Sequence, residues 1–536
     1  MKKQGICVAV FLALYQVLGP VGDHRALAAE DAASAAAINS APAGGEAPAL
    51  NDPMTRQTTM GTVQETDGAG GANAASQVTG NNATSRNAVG QETSSNVPRN
   101  AMPNDDVMGQ SDQGNQSLLP EDNQRGGEEL FGIPRGVVHP YVAVSAEYTD
   151  NLYNLDKQRV DNLLVSVNPG IWLSLPGKKE IPVTLALNNA SGGGYQYEMG
   201  DYGRSDRLQL FLLGDVDYRM YSDDSNLDEV FYRLQGFARY NFPGGLSLQL
   251  LDAYTRNQDR FNIGHPDSQL THAFDSNSVM GTIDWLFTEK LQAVLDLSLF
   301  SLSYDEYQFS YLERNDFALD LHFFFHATDK TALFLEYKYI DSRYDSNTLF
   351  DSTSNLYYIG VTWNSTEKLS FLARVGLRDK IYDSSQFSGW NGFVCELQTT
   401  YRLTDKSKTT LNLYRQNEET DMIQAEDKIV LGATLGYNLD ITDKISFGIT
   451  GLYEHANYRS RFGNIDPEGF SYYVAPDGSE EYNRKDDRFA ISPRIDYLFT
   501  EWLKVGIGYR YEQTDSNISI YDYYSNTVFI DMKVAL

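Results

Sequence analysis

One short stretch of this 536-residue sequence, Asp320-Leu321-His322-Phe323-Phe324-Phe325-His326, carries side chains from which acid–base catalysis or metal ligation could be built. On an extended chain Asp320 and His322 leave from the same face and could act as an orienting carboxylate and its base. The two histidines lie four residues apart, which on a strand is ~13 Å and too far to share one metal ion. No nucleophile can be placed beside them, and no Gly-x-Ser-x-Gly, His-Glu-x-x-His or Cys-x-x-Cys occurs. The expectations are therefore no enzyme, no cofactor and no metal. Two acidic clusters are the other chemical candidates: Asp223, Asp224, Asp228 and Glu229, and Asp466, Glu468, Asp477, Glu480 and Glu481. Oxygen-rich loops can bind calcium or bridge lipopolysaccharide, but neither cluster has EF-hand spacing.

Most of the remaining charge falls on alternate residues of long, otherwise apolar stretches. The basic members are Arg219, Lys338, Arg374, Arg378, Arg402, Arg494, Lys504 and Arg510. The acidic members are Asp215, Asp217, Asp284, Asp296, Asp320, Glu336, Glu396, Asp496 and Glu512. On a wall facing water these residues would set ion and solute selectivity. Paired across strands, they would instead keep that wall hydrated and rigid. The signs nearly balance, so strong selectivity for either ion sign is not expected.

The elements that carry these residues repeat. Thr288-Glu289-Lys290, Thr328-Asp329-Lys330, Thr366-Glu367-Lys368, Thr404-Asp405-Lys406 and Thr442-Asp443-Lys444 are spaced by 40, 38, 38 and 38 residues. Thr500-Glu501-Trp502 follows after 58, with a long loop between. Each turn joins two alternating stretches, such as Leu291, Ala293, Leu295, Leu297 and Leu299 set against Gln292, Asp296 and Ser298. Two long strands, a tight turn and a longer loop per repeat is the rhythm of an up-and-down antiparallel β-barrel. One face is apolar and the other carries charge and glycine, which suits lipid outside and water inside. Trp285, Phe287, Phe325, Trp363, Tyr401, Tyr437, Tyr497 and Phe499 precede the turns, where an interfacial girdle belongs. A β-propeller would need four short strands per repeat.

Counting by topology gives 18 strands, with 16 as the alternative, because both barrel ends should face the same side. Val137–Tyr148, Asn162–Leu175, Arg207–Tyr221 and Val230–Tyr240 are the first four. A turn is expected at Pro176–Lys179, and the glycines Gly192–Gly194 mark an insertion. Pro493 lies inside a strand and predicts a bulge. Val528, Ile530, Met532, Val534 and Leu536 face lipid in the closing strand. Cys395 also faces lipid and acts as an apolar filler.

Lys2 and Lys3, the apolar run from Ile6 to Val21 and Ala26-Leu27-Ala28 read as a signal peptide over 1–28. Residues 29–130 are rich in Ala, Gly, Asn, Ser and Gln and contain no aromatic residue, so a disordered, low-complexity periplasmic segment is expected. The barrel domain spans 131–536. The net charge of −29 argues against nucleic acid as a partner, and none is expected.

The opening run His139-Pro140-Tyr141-Val142-Ala143-Val144-Ser145-Ala146-Glu147-Tyr148-Thr149-Asp150-Asn151-Leu152-Tyr153, followed by Asn168-Pro169-Gly170-Ile171, resembles the putative beta-barrel porin 2 family. The hairpin rhythm continues the resemblance to Leu536. It implies a bacterial outer-membrane barrel, sometimes encoded near exopolysaccharide export functions. A passive channel for hydrophilic solutes is expected, and a non-conducting structural or surface-interaction barrel with ion-binding loops is the alternative. The expected partners are outer-membrane lipid and lipopolysaccharide, the barrel-insertion machinery, and a polysaccharide or periplasmic export component.

Overall fold

The computed structural model describes residues 136–175, 186–196, 207–223, 227–258, 273–328, 330–366, 368–420, 422, 425–459 and 484–535. The expected signal peptide, the 29–130 segment, the Pro176–Lys179 turn and the acidic cluster at 466–481 lie outside these residues. The strands in chain order begin with β1 (Val138–Thr149), β2 (Asn162–Leu175), β3 (Ala186–Leu187), β4 (Tyr195–Gln196), β5 (Leu208–Tyr221), β6 (Glu229–Asn241) and β7 (Leu246–Gln258). Next come β8 (Ala273–Leu286), β9 (Leu291–Tyr304), β10 (Arg314–Thr328), β11 (Thr331–Tyr344), β12 (Ser352–Thr366), β13 (Leu369–Tyr382) and β14 (Trp390–Thr404). The series ends with β15 (Ser407–Glu418), β16 (Asp427–Asp440), β17 (Ile445–Arg459), β18 (Lys485–Thr500), β19 (Leu503–Ser516) and β20 (Tyr523–Ala535).

All but β3 and β4 join one 18-stranded antiparallel sheet, so the count is 18 rather than 16. It closes on itself where β1 pairs with β20, from Tyr141 opposite Ala535 to Thr149 opposite Thr527. Closure removes the unpaired edges that lipid could not satisfy. Among the described residues no helix is long and apolar enough to cross a membrane.

The repeated threonine has a physical reason. Its hydroxyl accepts the N–H two residues on: Lys290 N donates to Thr288 Oγ1 at 3.2 Å, as does Lys444 N to Thr442 Oγ1. Lys330 and Lys406 repeat the bond to Thr328 and Thr404. A short polar side chain that bonds its own backbone makes a tight turn without glycine. Four register shifts sit just before such turns, at His326/Thr328, Asn364/Thr366, Arg402/Thr404 and Leu498/Thr500.

Alternation holds along the strands. On β10, Phe317, Phe323 and Phe325 are exposed, while Arg314, Asp316, Ala318, Asp320, His322 and Phe324 are buried on the opposite, inward face. Trp285, Phe287, Phe325, Tyr401, Tyr497 and Phe499 are exposed beside the short turns, and Trp285–Phe287 and Tyr497–Phe499 meet edge to face. Inward glycines make room for aromatic rings from the neighbouring strand. Gly170 lies opposite Tyr141, and a Cβ there would stand 2.2 Å from the ring.

The bulge expected at Pro493 does not form. Residues 485–500 stay one strand, and Pro493 pairs in register with Ile449 of β17. On the β19 side the ladder lapses over Ser492 and Pro493 and resumes at Arg494 opposite Gly508 without a shift. Ser492 Oγ donates to the Tyr509 carbonyl at 3.2 Å, occupying an acceptor in the lapse. A side-chain donor thus substitutes locally for the missing ladder bond, and the strand needs no extra residue.

Candidate functional site

The inward wall is a set of ion pairs within and between strands. Arg374 on β13 donates to Glu336 on β11 at 2.8 Å and reaches Glu396 on β14 at 2.7 Å. Arg494 on β18 bridges Asp496 at 2.7 Å and Asp531 on β20 at 2.8 Å. Arg510 reaches Glu147 across the closure at 3.0 Å. Arg488 links Glu454 at 2.9 Å to Glu512 at 3.2 Å. Arg219 pairs with Asp217 at 2.7 Å, and Arg233 with Asp215 at 2.8 Å. Lys338 and Lys504 stand 4.0 Å from Asp320 and 3.8 Å from Asp496. Asp284 is buried 4.0 Å from Arg239. Register places Arg374 opposite Glu396, Arg488 opposite Glu454, Arg233 opposite Asp215 and Lys338 opposite Asp320, while the other pairs run along one strand, along a diagonal or across an intervening strand.

Of the charged residues singled out by alternation, Asp215, Asp217, Arg219, Asp284, Asp296, Asp320, Glu336, Arg378, Glu396, Arg494, Asp496, Arg510 and Glu512 are buried on this face. Lys338, Arg374 and Lys504 are half-buried. Arg402 sits at the turn end of β14 and is half-buried there. Cys395 is half-buried opposite Arg415 of β15 and is the free cysteine of the described residues. In the first acidic cluster, Asp228 accepts the Tyr221 N–H at 2.8 Å and Glu229 pairs with Arg256 at 3.3 Å. Those two carboxylates serve the hairpin.

The inserted glycines belong to a segment that lies inside the wall. The connection from β2 to β5 leaves and rejoins the sheet at the short-turn end. Residues 186–196 of that connection nevertheless bond to groups at the opposite, long-loop end. Arg314, the first residue of β10, donates to the Asn189 carbonyl at 2.5 Å and the Ser191 carbonyl at 3.2 Å. Gly193 N donates to Asp316 Oδ2 at 2.9 Å, and Glu419 N donates to the Ala190 carbonyl at 2.8 Å. Gly194 has φ +71°, and a Cβ there would overlap the Phe300 ring at 1.9 Å. Glycine is thus required twice over, by backbone conformation and by close approach.

Beneath the segment lies a cluster that alternation alone did not find. Glu419, in the loop after β15, accepts from Lys380 Nζ at 2.7 and 2.8 Å and from Tyr344 OH at 3.0 Å. Arg378 stands 3.7 Å away. Burial pushes the Glu419 carboxyl up, but Lys380, Arg314 and Arg378 outweigh it and hold the group down at about 2. Aromatic side chains close over this end: Phe309, Tyr311, Phe350 and Phe387 pack with Phe300, Tyr344 and Tyr382, and Leu187 of the segment joins them. Arg314, Asp316 and Lys380 could have been read from alternation. Glu419 and the segment could not, since neither lies on a regular strand.

The family model described as putative beta-barrel porin 2 matches residues 204–536. Among solved structures, Pseudomonas aeruginosa OccK2 (OpdF) is 9% identical with a TM-score of 0.40, over 75% of this chain and 100% of that one. Acinetobacter baumannii OccAB4 is 10% identical with a TM-score of 0.39, over 75% and 99%. The siderophore receptor PirA from Acinetobacter baumannii is 8% identical with a TM-score of 0.40, over 76% and 81%. No curated protein matches the sequence.

Proposed function

The chain belongs to the putative beta-barrel porin 2 family, and we propose that it is an outer-membrane channel for passive passage of hydrophilic solutes, narrowed from within by residues 186–196. The observation that carries this reading is the division of one closed 18-stranded sheet into an exposed apolar face and an inward face of paired charges. Such a wall is wetted by water and screens its own charge, so it passes polar solutes with weak preference for either ion sign. The segment ties down the long-loop end of β10 and β15, so it sets the bore there.

In this reading the short turns and the N-terminal segment face the periplasm and the long loops face outward. Outer-membrane lipid surrounds the aromatic girdle. The solutes extend to polysaccharide fragments, on the ground that the family is sometimes encoded near exopolysaccharide export functions. A second reading, a non-conducting structural barrel, draws on a specific observation as well: the inward charges are almost all buried and the segment fills space among them.

Liposome swelling separates the two. Vesicles carrying the intact chain are expected to admit small sugars and to exclude larger ones. A variant lacking residues 186–196 is expected to admit larger sugars, faster. Equal rates for both proteins would remove the segment from the bore, and no swelling by either would favour the structural barrel.

A further inference from the structure

We propose that Asp320, His322 and Glu336 form a binding site for a borderline divalent cation such as Zn²⁺ on the inward wall. The residues are brought together by pairing that the one-dimensional spacing hides. His322 on β10 lies directly opposite Glu336 on β11, and Asp320 leaves the same face of β10 two residues earlier. All three are buried, and one donor atom from each falls within 4.8 Å of the others. A tetrahedral ion with bonds of ~2.0–2.2 Å holds its ligand atoms ~3.4 Å apart, so closure needs a shift of up to ~1.4 Å.

Two further observations point to a missing partner. His322 Nε2 is 3.1 Å from Asp320 Oδ1, and Nδ1 is 3.9 Å from Glu336 Oε2. Asp320 thus engages Nε2, while the second approach is too long for a hydrogen bond and leaves Nδ1 buried without a hydrogen-bond partner. Buried polar atoms in that state are rare and destabilising unless something else engages them. The local charge also leaves room for a cation. Asp320 lies opposite Asp296 of β9, and Glu336 shares Arg374 with Glu396. Four carboxylates thus face Lys338, Arg374 and the ionisable His322, so negative charge is in excess.

The donor set selects the metal class. One imidazole with two carboxylates suits Zn²⁺ and its neighbours, whereas Mg²⁺ and Ca²⁺ prefer all-oxygen shells. Arg374, which donates to both Glu336 oxygens at 2.8 Å, is a positioning residue that fixes that carboxylate. Strands hold all three ligands, so the site is rigid rather than assembled from loops. The site stands whether or not the barrel conducts.

The test is calorimetric titration of the full chain, purified in detergent, with zinc chloride and separately with magnesium chloride. One zinc ion per chain at micromolar affinity or tighter is expected, with no comparable uptake of magnesium. Asp320→Asn, His322→Gln and Glu336→Gln are each expected to weaken zinc binding by about 100-fold or more. His455→Ala, which alters the exposed histidine beside Asp487, is expected to leave it unchanged. X-ray absorption of the zinc-loaded wild type, which needs no variant to fold, is expected to show one imidazole among oxygen ligands. No uptake by the wild type would overturn the proposal. So would uptake that survives all three substitutions, or a zinc shell with no imidazole or with several.

Discussion

Replacing Glu419 by Gln removes the charge on which Lys380, Tyr344 and Arg378 converge. The folded protein holds this carboxyl at about 2, against an ordinary value of 4.5. That difference corresponds to about 3 kcal/mol of stability at neutral pH. It agrees with the roughly 3–5 kcal/mol expected when one partner of a buried ion pair is removed. Because the folded-state value is depressed, the contribution is fully present above pH 4.5 and is lost as pH falls through about 2. Reversible urea unfolding in detergent, followed by tryptophan fluorescence, should therefore find E419Q about 3 kcal/mol less stable than wild type at pH 7. The gap should close steadily from pH 4.5 downward. A gap under about 0.5 kcal/mol at pH 7, or one that does not change on acidification, would refute the assignment of Glu419 as a charged anchor.

Thr442→Val removes the hydroxyl that accepts from Lys444 N and Ile445 N at 3.2 and 3.0 Å. Both amides are solvent-exposed, so urea unfolding should show a loss of only about 0.5–1.5 kcal/mol. Gly432→Ala places a Cβ 2.1 Å from the Tyr414 ring, and the same assay should show a loss of about 1–3 kcal/mol from overpacking. Gly194→Ala meets both a positive φ and the Phe300 ring. It should dislodge the inner segment and speed the swelling of sugar-loaded vesicles, with little effect on the heat-modified mobility of the barrel.

Alternation was enough to locate the strands because every strand buries one face and exposes the other to lipid, so a one-residue slip would reverse the whole pattern. The boundaries expected for β2 are the observed ones, and those for β1, β5 and β6 lie within a residue. The turns were legible because threonine recurs at them, and at Thr288, Thr328, Thr404 and Thr442 it bonds its own backbone. Pro493 misled because a bulge is one answer to a missing donor, and Ser492 supplies another. The inward segment escaped because its glycines have no period, and its anchors come from two places far apart in sequence: Arg314 and Asp316 at the start of β10, and Glu419 after β15. Glu336 was visible as a wall charge but not as a neighbour of His322, since only strand register reveals that contact.

The central claim, a wetted channel narrowed by residues 186–196, is tested most directly by single-channel recording of the refolded chain in a planar bilayer. The account predicts steady conductance steps with weak ion preference, which become larger when residues 186–196 are removed. A chain that is demonstrably folded and inserted, yet electrically silent with and without the segment, would contradict it.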